Sequence, residues 1–324
     1  MITPKLVGRG LFVFSDPGGA KPILTLADEY SETLTAKIAV SDRVYPFFKD
    51  FSTKIDMPDL TSNIYDFKPD FVFTGTSYTS DFEIRYIKEA KKIGIPVYSF
   101  VDHWTNILKR FTNEKEIILP DIIFVLDDRA KEIAIQEGIA KEILQVLPNP
   151  YHTFLRKWTP NCTKEYFLKK NKIQSTNLLI TFAPDPLSNA GGIEKFGTDE
   201  IIIAKKFIKA ILKVKSQKNI TVIFKPHPNQ NIEYVLPFFK HFGLNVICLI
   251  DVDTRLLLFY SDIIVGIFSN ILIEAQILGK DVIRFLEKSN IDPLEQLNIG
   301  KICKSDYQFI NTLQKSIKTY QLIN

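Results

Sequence analysis

Short apolar runs, alternating with longer stretches of helical spacing, recur along the whole chain. LFVFS at 11–15, FVFTGT at 71–76, PVYSFV at 96–101, DIIFVL at 121–126, NLLITFA at 177–183 and ITVIFK at 220–225 place apolar side chains at successive positions, not at every second one. A strand of that kind is buried on both faces, the condition of a parallel sheet covered by helices on both sides. Shorter runs at 37–41, 143–147, 245–249, 262–265 and 281–285 read as further strands. Helical spacing occupies 21–33, 81–93, 129–136, 200–214, 232–242, 254–260, 270–278 and 306–320. The expected fold class is α/β, built as two Rossmann-like domains.

The rhythm breaks once, at 148–175, where prolines, a Trp and mixed charges replace it. This divides the 324 residues into a first domain at 1–150, a linker at 151–175, a second domain at 176–305 and a closing helix at 306–324. Domains of ~150 residues bury enough surface for a core of their own. Ligands in open α/β sheets bind beyond the carboxyl ends of the strands. The expected site is therefore a cleft faced by both domains.

Composition narrows the partners. Forty-one Lys and Arg against 37 Asp and Glu leave a net charge of +4. That tolerates an anionic substrate or an acidic membrane surface, but it lacks the concentrated basic face that nucleic acid requires. Cys162, Cys248 and Cys303 lie far apart without a CxxC pair, so neither a disulfide framework nor a zinc site is expected. The opening residues lack a signal-peptide layout, and no run approaches the ~18 apolar residues of a membrane span. These features point to the cytoplasm, with peripheral attachment to the inner face of the cytoplasmic membrane kept open.

Five loops at strand ends carry residues suited to chemistry. In the second half, Lys225-Pro226-His227-Pro228 stiffens an imidazole beside a lysine, an arrangement that suits a phosphate oxygen. The strand ending at Gly266 leads through Ser269 and Asn270 into a helix that carries Glu274. Either Ser269 or Asn270 can cap that helix, whose free N–H groups and positive dipole end attract phosphate. Glu274, one turn further in, can accept hydrogen bonds from ribose hydroxyls. A glycine-bearing loop from Asp185 to Gly192 follows the first strand of this half. In the first half, Asp16-Pro17-Gly18-Gly19 joins the first strand to the first helix, and the glycines allow close backbone approach. The loop Asp102-His103-Trp104-Thr105-Asn106, with Arg110 behind it, offers a general base, an aromatic face for a sugar and an anion partner. Its plainer alternative is a buried Trp with a His satisfied by backbone. No GxGxxG or GxxxxGK[ST] pattern occurs. Asp251 and Asp253 have the spacing of a metal-binding DxD, but their place before Thr254 reads as a helix cap, as does Asp127-Asp128 before Arg129.

Lys225-Pro226-His227-Pro228 followed by Ser269-Asn270 resembles the His-Pro and Ser motifs of bacterial sialyltransferases, capsular Kdo transferases and CDP-glycerol glycerophosphotransferases, which are GT-B glycosyltransferases. The layout Gly266, Ser269, Glu274, Gly279 resembles the general GT-B donor motif. Asp102-His103-Trp104 with Arg110-Phe111 resembles surface-polysaccharide biosynthesis proteins. Asn270 departs from the sialyltransferase pattern, which has a second Ser or a Thr there.

The resemblance implies an inverting, metal-independent transfer from a nucleotide sugar to a glycan or lipid-linked acceptor, in capsule, O-antigen or lipopolysaccharide synthesis. A CMP sugar carrying a nonulosonic acid or Kdo is the favoured donor, with UDP, dTDP or GDP sugars as alternatives. No cofactor and no metal are expected. Lys225, His227, Pro228, Gly266, Ser269, Asn270 and Glu274 would hold the donor. Gly18, Gly19, Trp104, Asn106 and Arg110 would hold the acceptor. Asp102, His103 or Asp16 would take the acceptor proton. Two other readings stay open: a nucleotide-sugar 2-epimerase or hydrolase on the same fold, and a non-catalytic nucleotide-sugar-binding subunit of a polysaccharide assembly complex.

Overall fold

A computed structural model describes residues 6–41, 64–114, 116–174, 178–215, 220–228, 230–244, 246–287 and 291–323. The chain divides into two compact units, Met1–Phe154 and Leu155–Asn324.

The first unit runs β1 (Gly8–Phe14), α1 (Pro17–Glu29), β2 (Leu34–Val40), α2 (Ile64–Phe67), β3 (Phe71–Thr74), α3 (Phe82–Lys92), β4 (Val97–Val101), the short pair β5 (Thr112–Asn113) and β6 (Glu116–Ile117), β7 (Ile122–Val125), α4 (Asp128–Gln136) and β8 (Leu144–Val146). Six strands form one sheet in the order β2-β1-β3-β4-β7-β8, and every pairing is parallel. Leu11 to Phe14 are wholly buried, as a strand covered on both faces must be. β1 begins three residues before its apolar run. Pairing with both neighbours, Gly8 with Leu34 and Gly10 with Phe71, draws those small residues into the ladder. A side chain at Gly10 would meet the Phe71 ring at 2.5 Å, so this glycine lets the ring cross the strand.

The second unit begins within α5 (Pro150–Lys157), a helix that spans the division, and continues through α6 (Lys164–Lys170). It then runs β9 (Leu178–Ala183), α7 (Gly192–Phe196), α8 (Glu200–Lys215), β10 (Ile220–Phe224), α9 (Ile232–His241), β11 (Val246–Cys248), α10 (Thr254–Tyr260), β12 (Ile263–Gly266), α11 (Asn270–Ile277), β13 (Asp281–Phe285), β14 (Lys301–Cys303) and α12 (Asp306–Ile323). Its sheet is also six-stranded and wholly parallel, in the order β11-β10-β9-β12-β13-β14. Asn177 and Asn245, expected to open two of these strands, lie outside the described residues. The stretch expected as a linker is structured: α6 places Phe167 and Leu168 in a core with Ile173, Leu179, Leu257 and Tyr260. β14 was not legible because Lys301 and Ile302 are exposed and form no apolar run.

Each unit has a topological switch point. β1 lies between β2 and β3, and β9 between β10 and β12, so the chain runs to one side of each first strand and then crosses to the other. The loops after β1 and β3 therefore flank the crevice of the first sheet, and those after β9 and β12 the crevice of the second, where such sheets take ligands. Among the described residues no helix is long and apolar enough to cross a membrane.

Candidate functional site

In the first unit the loop after β1 gathers three carboxyl groups. Asp16 is the N-cap of α1, with its Oδ1 accepting from the Gly18 N–H at 2.8 Å. Asp102, at the end of β4, is buried and forms an ion pair with the equally buried Arg110, Nη1 to Oδ1 3.2 Å. The same Nη1 donates to the Thr76 hydroxyl at 3.2 Å and the Thr76 carbonyl at 3.3 Å, at the end of β3. The third group, Glu83 in the first turn of α3, is 2% exposed. It accepts from the Ser15 N–H at 2.6 Å and from the Ser15 hydroxyl at 2.8 and 2.9 Å.

The glycines explain how closely these parts approach. A Cβ at Gly18 would run into Asp102 Oδ2 and lie 3.2 Å from Asp16 Oδ1, so Gly18 is flanked by both carboxyl groups. A Cβ at Gly19 would meet the Thr76 nitrogen at 2.7 Å. The close approach that was expected for a ligand is made by the chain's own Asp102 and Thr76.

Proximity and desolvation set the protonation of this cluster. Desolvation raises the Asp16 pKa to about 6, helped by the negative charge of Asp102 and opposed by the Gly18 N–H, Arg110 and Lys21. Burial raises Glu83 to about 7 against the pull of its hydrogen bonds. Desolvation and then the Arg110 charge lower His103 to about 4, with Asp102 acting in the opposite sense. His103 is thus neutral near pH 7, its Nδ1 2.9 Å from the Thr105 hydroxyl. A general acid or base works best with a pKa near the operating pH. Asp16 meets that condition better than His103.

The other first-half candidates, Trp104 and Asn106, lie on the loop after β4. Trp104 is 5% exposed and its indole N–H donates to Asp127 Oδ2 at 2.8 Å. That leaves little open ring for stacking on a sugar. Asp127 Oδ1 also caps α4 through the Ala130 N–H. Asn106 adopts a left-handed conformation with φ of 55° at the turn after Trp104.

In the second unit, Gly266 ends β12 where a Cβ would lie 2.8 Å from the Ala183 carbonyl oxygen and 2.9 Å from Leu272. Only glycine lets the ends of β12 and β9 and the helix α11 meet so tightly. Ser269 occupies the N-cap of α11 with no side-chain bond to the helix, and Asn270 opens the first turn. The capping bond expected at this end is not made, so the Ser269 hydroxyl is not spent on the helix. Glu274 is buried within α11. His227 is half-buried after β10; its N–H donates to Gln230 Oε1 at 3.2 Å, and its carbonyl accepts from the Gln230 N–H at 2.9 Å. Pro228 is exposed. Lys225 Nζ donates to the carbonyls of Ile250 at 3.1 Å and Pro226 at 3.3 Å. Asp253 caps α10 through the N–H groups of Arg255 and Leu256. Among the described residues no group of three His, Cys, Asp or Glu side chains is placed to hold a metal ion.

Sequence reasoning missed Glu83, Gln230 and Arg284, and gave Asp185 no role of its own. Glu83 carried a signal: positions 83, 84, 87 and 90 form the buried stripe of α3, and a charge on such a stripe is anomalous. Arg284 carried another, a charge inside the buried strand DVIRF.

No protein-family model matches the chain, and no curated protein matches it. Solved structures do. The UDP-GlcNAc 2-epimerase of Neisseria meningitidis bound to UDP-GlcNAc is 17% identical at a TM-score of 0.67, over 97% of this chain and 93% of that one. The fold is GT-B. The UDP-GlcNAc 2-epimerase of Methanocaldococcus jannaschii is 14% identical at a TM-score of 0.64, over 95% of this chain and 92% of that one. HepE of Anabaena in complex with UDP-glucose is 13% identical at a TM-score of 0.63, over 97% and 90%. The expected architecture of two α/β domains is thus present. None of these three is a sialyltransferase, a Kdo transferase or a glycerophosphotransferase.

Proposed function

We propose that the protein acts on a UDP-type nucleotide sugar without an acceptor, as an epimerase or hydrolase. One observation carries this reading: Asp16 and Asp102 flank Gly18, one with its pKa raised to about 6 and the other paired with Arg110. Two adjacent carboxyl groups in unlike environments divide into an acid and a base. Removing and returning a proton on a sugar needs both, whereas transfer to an acceptor hydroxyl needs one. In this reading Asp102 is the base, and Asp16 is the acid, its raised pKa keeping a fraction of it protonated near neutral pH. His103, uncharged, orients the sugar through hydrogen bonds. The second unit supplies the nucleotide site: His227, Ser269 and the first turn of α11 meet the phosphates, and Glu274 reaches the ribose. The phosphate that leaves the sugar carbon is stabilised by these donors; in epimerisation it rejoins as the proton is returned, and in hydrolysis water takes its place. UDP is favoured over CMP because structures of the same fold hold UDP-GlcNAc and UDP-glucose.

A second reading, inverting transfer to a glycan or lipid-linked hydroxyl with Asp16 as the base, is favoured by the Ser269 hydroxyl, which makes no capping bond at the start of α11, as the motif resemblance requires. Incubation with UDP-GlcNAc, UDP-glucose and CMP sugars, followed by NMR, separates the two. Conversion without any acceptor supports the first reading, and turnover only when a glycan acceptor is added supports the second. If every nucleotide sugar stays unchanged under both conditions, both readings are wrong.

A further inference from the structure

The peptide joining Ile267 to Phe268 lies between β12 and Ser269, and both of its polar groups are held by buried charged side chains. Its N–H, from Phe268, donates to Asp185 Oδ2 at 3.0 Å. Its carbonyl, of Ile267, accepts from Arg284 Nε at 2.8 Å. Asp185 stands on the loop after β9 and Arg284 on β13, the two strands that flank β12. Arg284 is 0% exposed and Asp185 9%. The guanidinium is fastened in turn: Nη1 donates to the Ile299 carbonyl at 3.4 Å and Nη2 pairs with Asp292. Phe268 rests against the Phe196 ring, with centroids 5.6 Å apart.

Burying an arginine and an aspartate is costly, and apolar side chains of similar volume would serve packing at least as well. What charged groups add is direction. Fixing both ends of one peptide fixes its plane, and with it the course of the chain into Ser269 and the first turn of α11. Desolvation lifts Asp185 to about 7, so the bond to Phe268 is made by a group held out of water.

We propose that Asp185 and Arg284 are positioning residues that clamp the Ile267–Phe268 peptide and so aim Ser269 and the α11 N-terminus at the nucleotide phosphate. The inference rests on the nucleotide reading given above. Neither side chain is assigned a contact with substrate; both act through the loop.

The test titrates UDP by calorimetry into wild type, Asp185→Ala, Asp185→Asn, Ser269→Ala and the double variant Asp185→Ala/Ser269→Ala. Melting temperature and exchange of the Phe268 amide are measured alongside. Asp185→Ala should weaken UDP binding roughly tenfold and speed Phe268 exchange. Asp185→Asn, which keeps an oxygen acceptor, should bind within about threefold of wild type. The double variant should bind no more than about twofold worse than Asp185→Ala, because residues acting through one unit are not additive. Should Asp185→Ala not fold, Arg284→Lys replaces it, keeping the charge but not the fork that holds Ile267 and Ile299 together. Wild-type affinity in Asp185→Ala, or fully additive losses in the double variant, overturns the inference. The nucleotide reading itself fails in a different way, by the absence of any binding to wild type, and the inference then falls with it.

Discussion

Replacing Glu83 by Gln should flatten the pH dependence of stability, and the structure sets the size of the effect. Glu83 is 2% exposed and accepts hydrogen bonds from the Ser15 N–H and hydroxyl. Burial raises its pKa from 4.5 to about 7. A folded-state pKa above the unfolded value means that the folded chain holds the proton more tightly. The stabilisation from this group is therefore complete below about pH 4.5 and is lost as pH rises through about 7. At about 1.4 kcal/mol per unit, a rise of about 2.5 units corresponds to about 3 kcal/mol. Gln at this position cannot ionise. It keeps an oxygen for the Ser15 N–H and turns its amide toward the Ser15 hydroxyl, which can accept. Relative to wild type, Glu83→Gln should therefore gain about 3 kcal/mol between pH 4 and pH 8. At roughly 2–4 °C per kcal/mol for a unit of this size, the difference between the two melting temperatures should move by roughly 6–12 °C. Thermal unfolding followed by circular dichroism reads it directly. Asp185 titrates with the same sign in both proteins and cancels in the difference, while Asp16, whose charge adds to the rise at Glu83, is coupled to it and is part of the change. Parallel melting curves for the two proteins across this range would refute the reasoning.

Other substitutions probe the same cluster. Gly18→Ala places a Cβ on Asp102 Oδ2, and turnover should fall by about an order of magnitude with a loss of ~1–3 kcal/mol in stability, measured by kinetics and thermal unfolding. Arg110→Ala leaves Asp102 buried without its cation and should cost ~3–5 kcal/mol, part of it restored by adding Asp102→Asn; no restoration in the double variant would contradict the ion-pair account. Trp104→Phe removes the donor to Asp127 and should cost ~1 kcal/mol while leaving nucleotide affinity unchanged, since the ring is 5% exposed. Followed by NMR, the Asp16 carboxyl should titrate near 6, and Asp102→Asn should move that titration to lower pH by removing the negative charge that raises it. A titration that stays in place would show that Asp102 does not set it.

The sequence displayed its architecture because both sheets are parallel. Strands buried on both faces must be apolar at successive positions, and Leu11–Phe14 and Ile263–Val265 are. Short edges such as β14 lack that pressure and cannot be read in advance. Individual loops after β1, β4, β10 and β12 were also legible, since they join glycine, histidine and acidic residues at strand ends. Hidden from the sequence was which of these residues turn toward one another. Trp104 could stack on a ligand or on the core, and its bond to Asp127 is what settles its place. Gly18 could approach a ligand or another side chain, and it approaches Asp102. Glu83 and Arg284 stand at positions patterned for burial, but which group each one holds shows only once the elements are packed: each holds a neighbouring loop.

A thermal-shift titration with UDP, CMP, dTDP and GDP, on wild type and on His227→Ala and Ser269→Ala, tests the central claim most directly. A nucleotide at 100 times its dissociation constant stabilises by about 2.7 kcal/mol. The account predicts that UDP raises the melting temperature of wild type, and that the rise shrinks in both variants while their unliganded melting temperatures stay close to that of wild type. A chain whose melting temperature no nucleotide moves, or whose UDP response survives both substitutions intact, would contradict it.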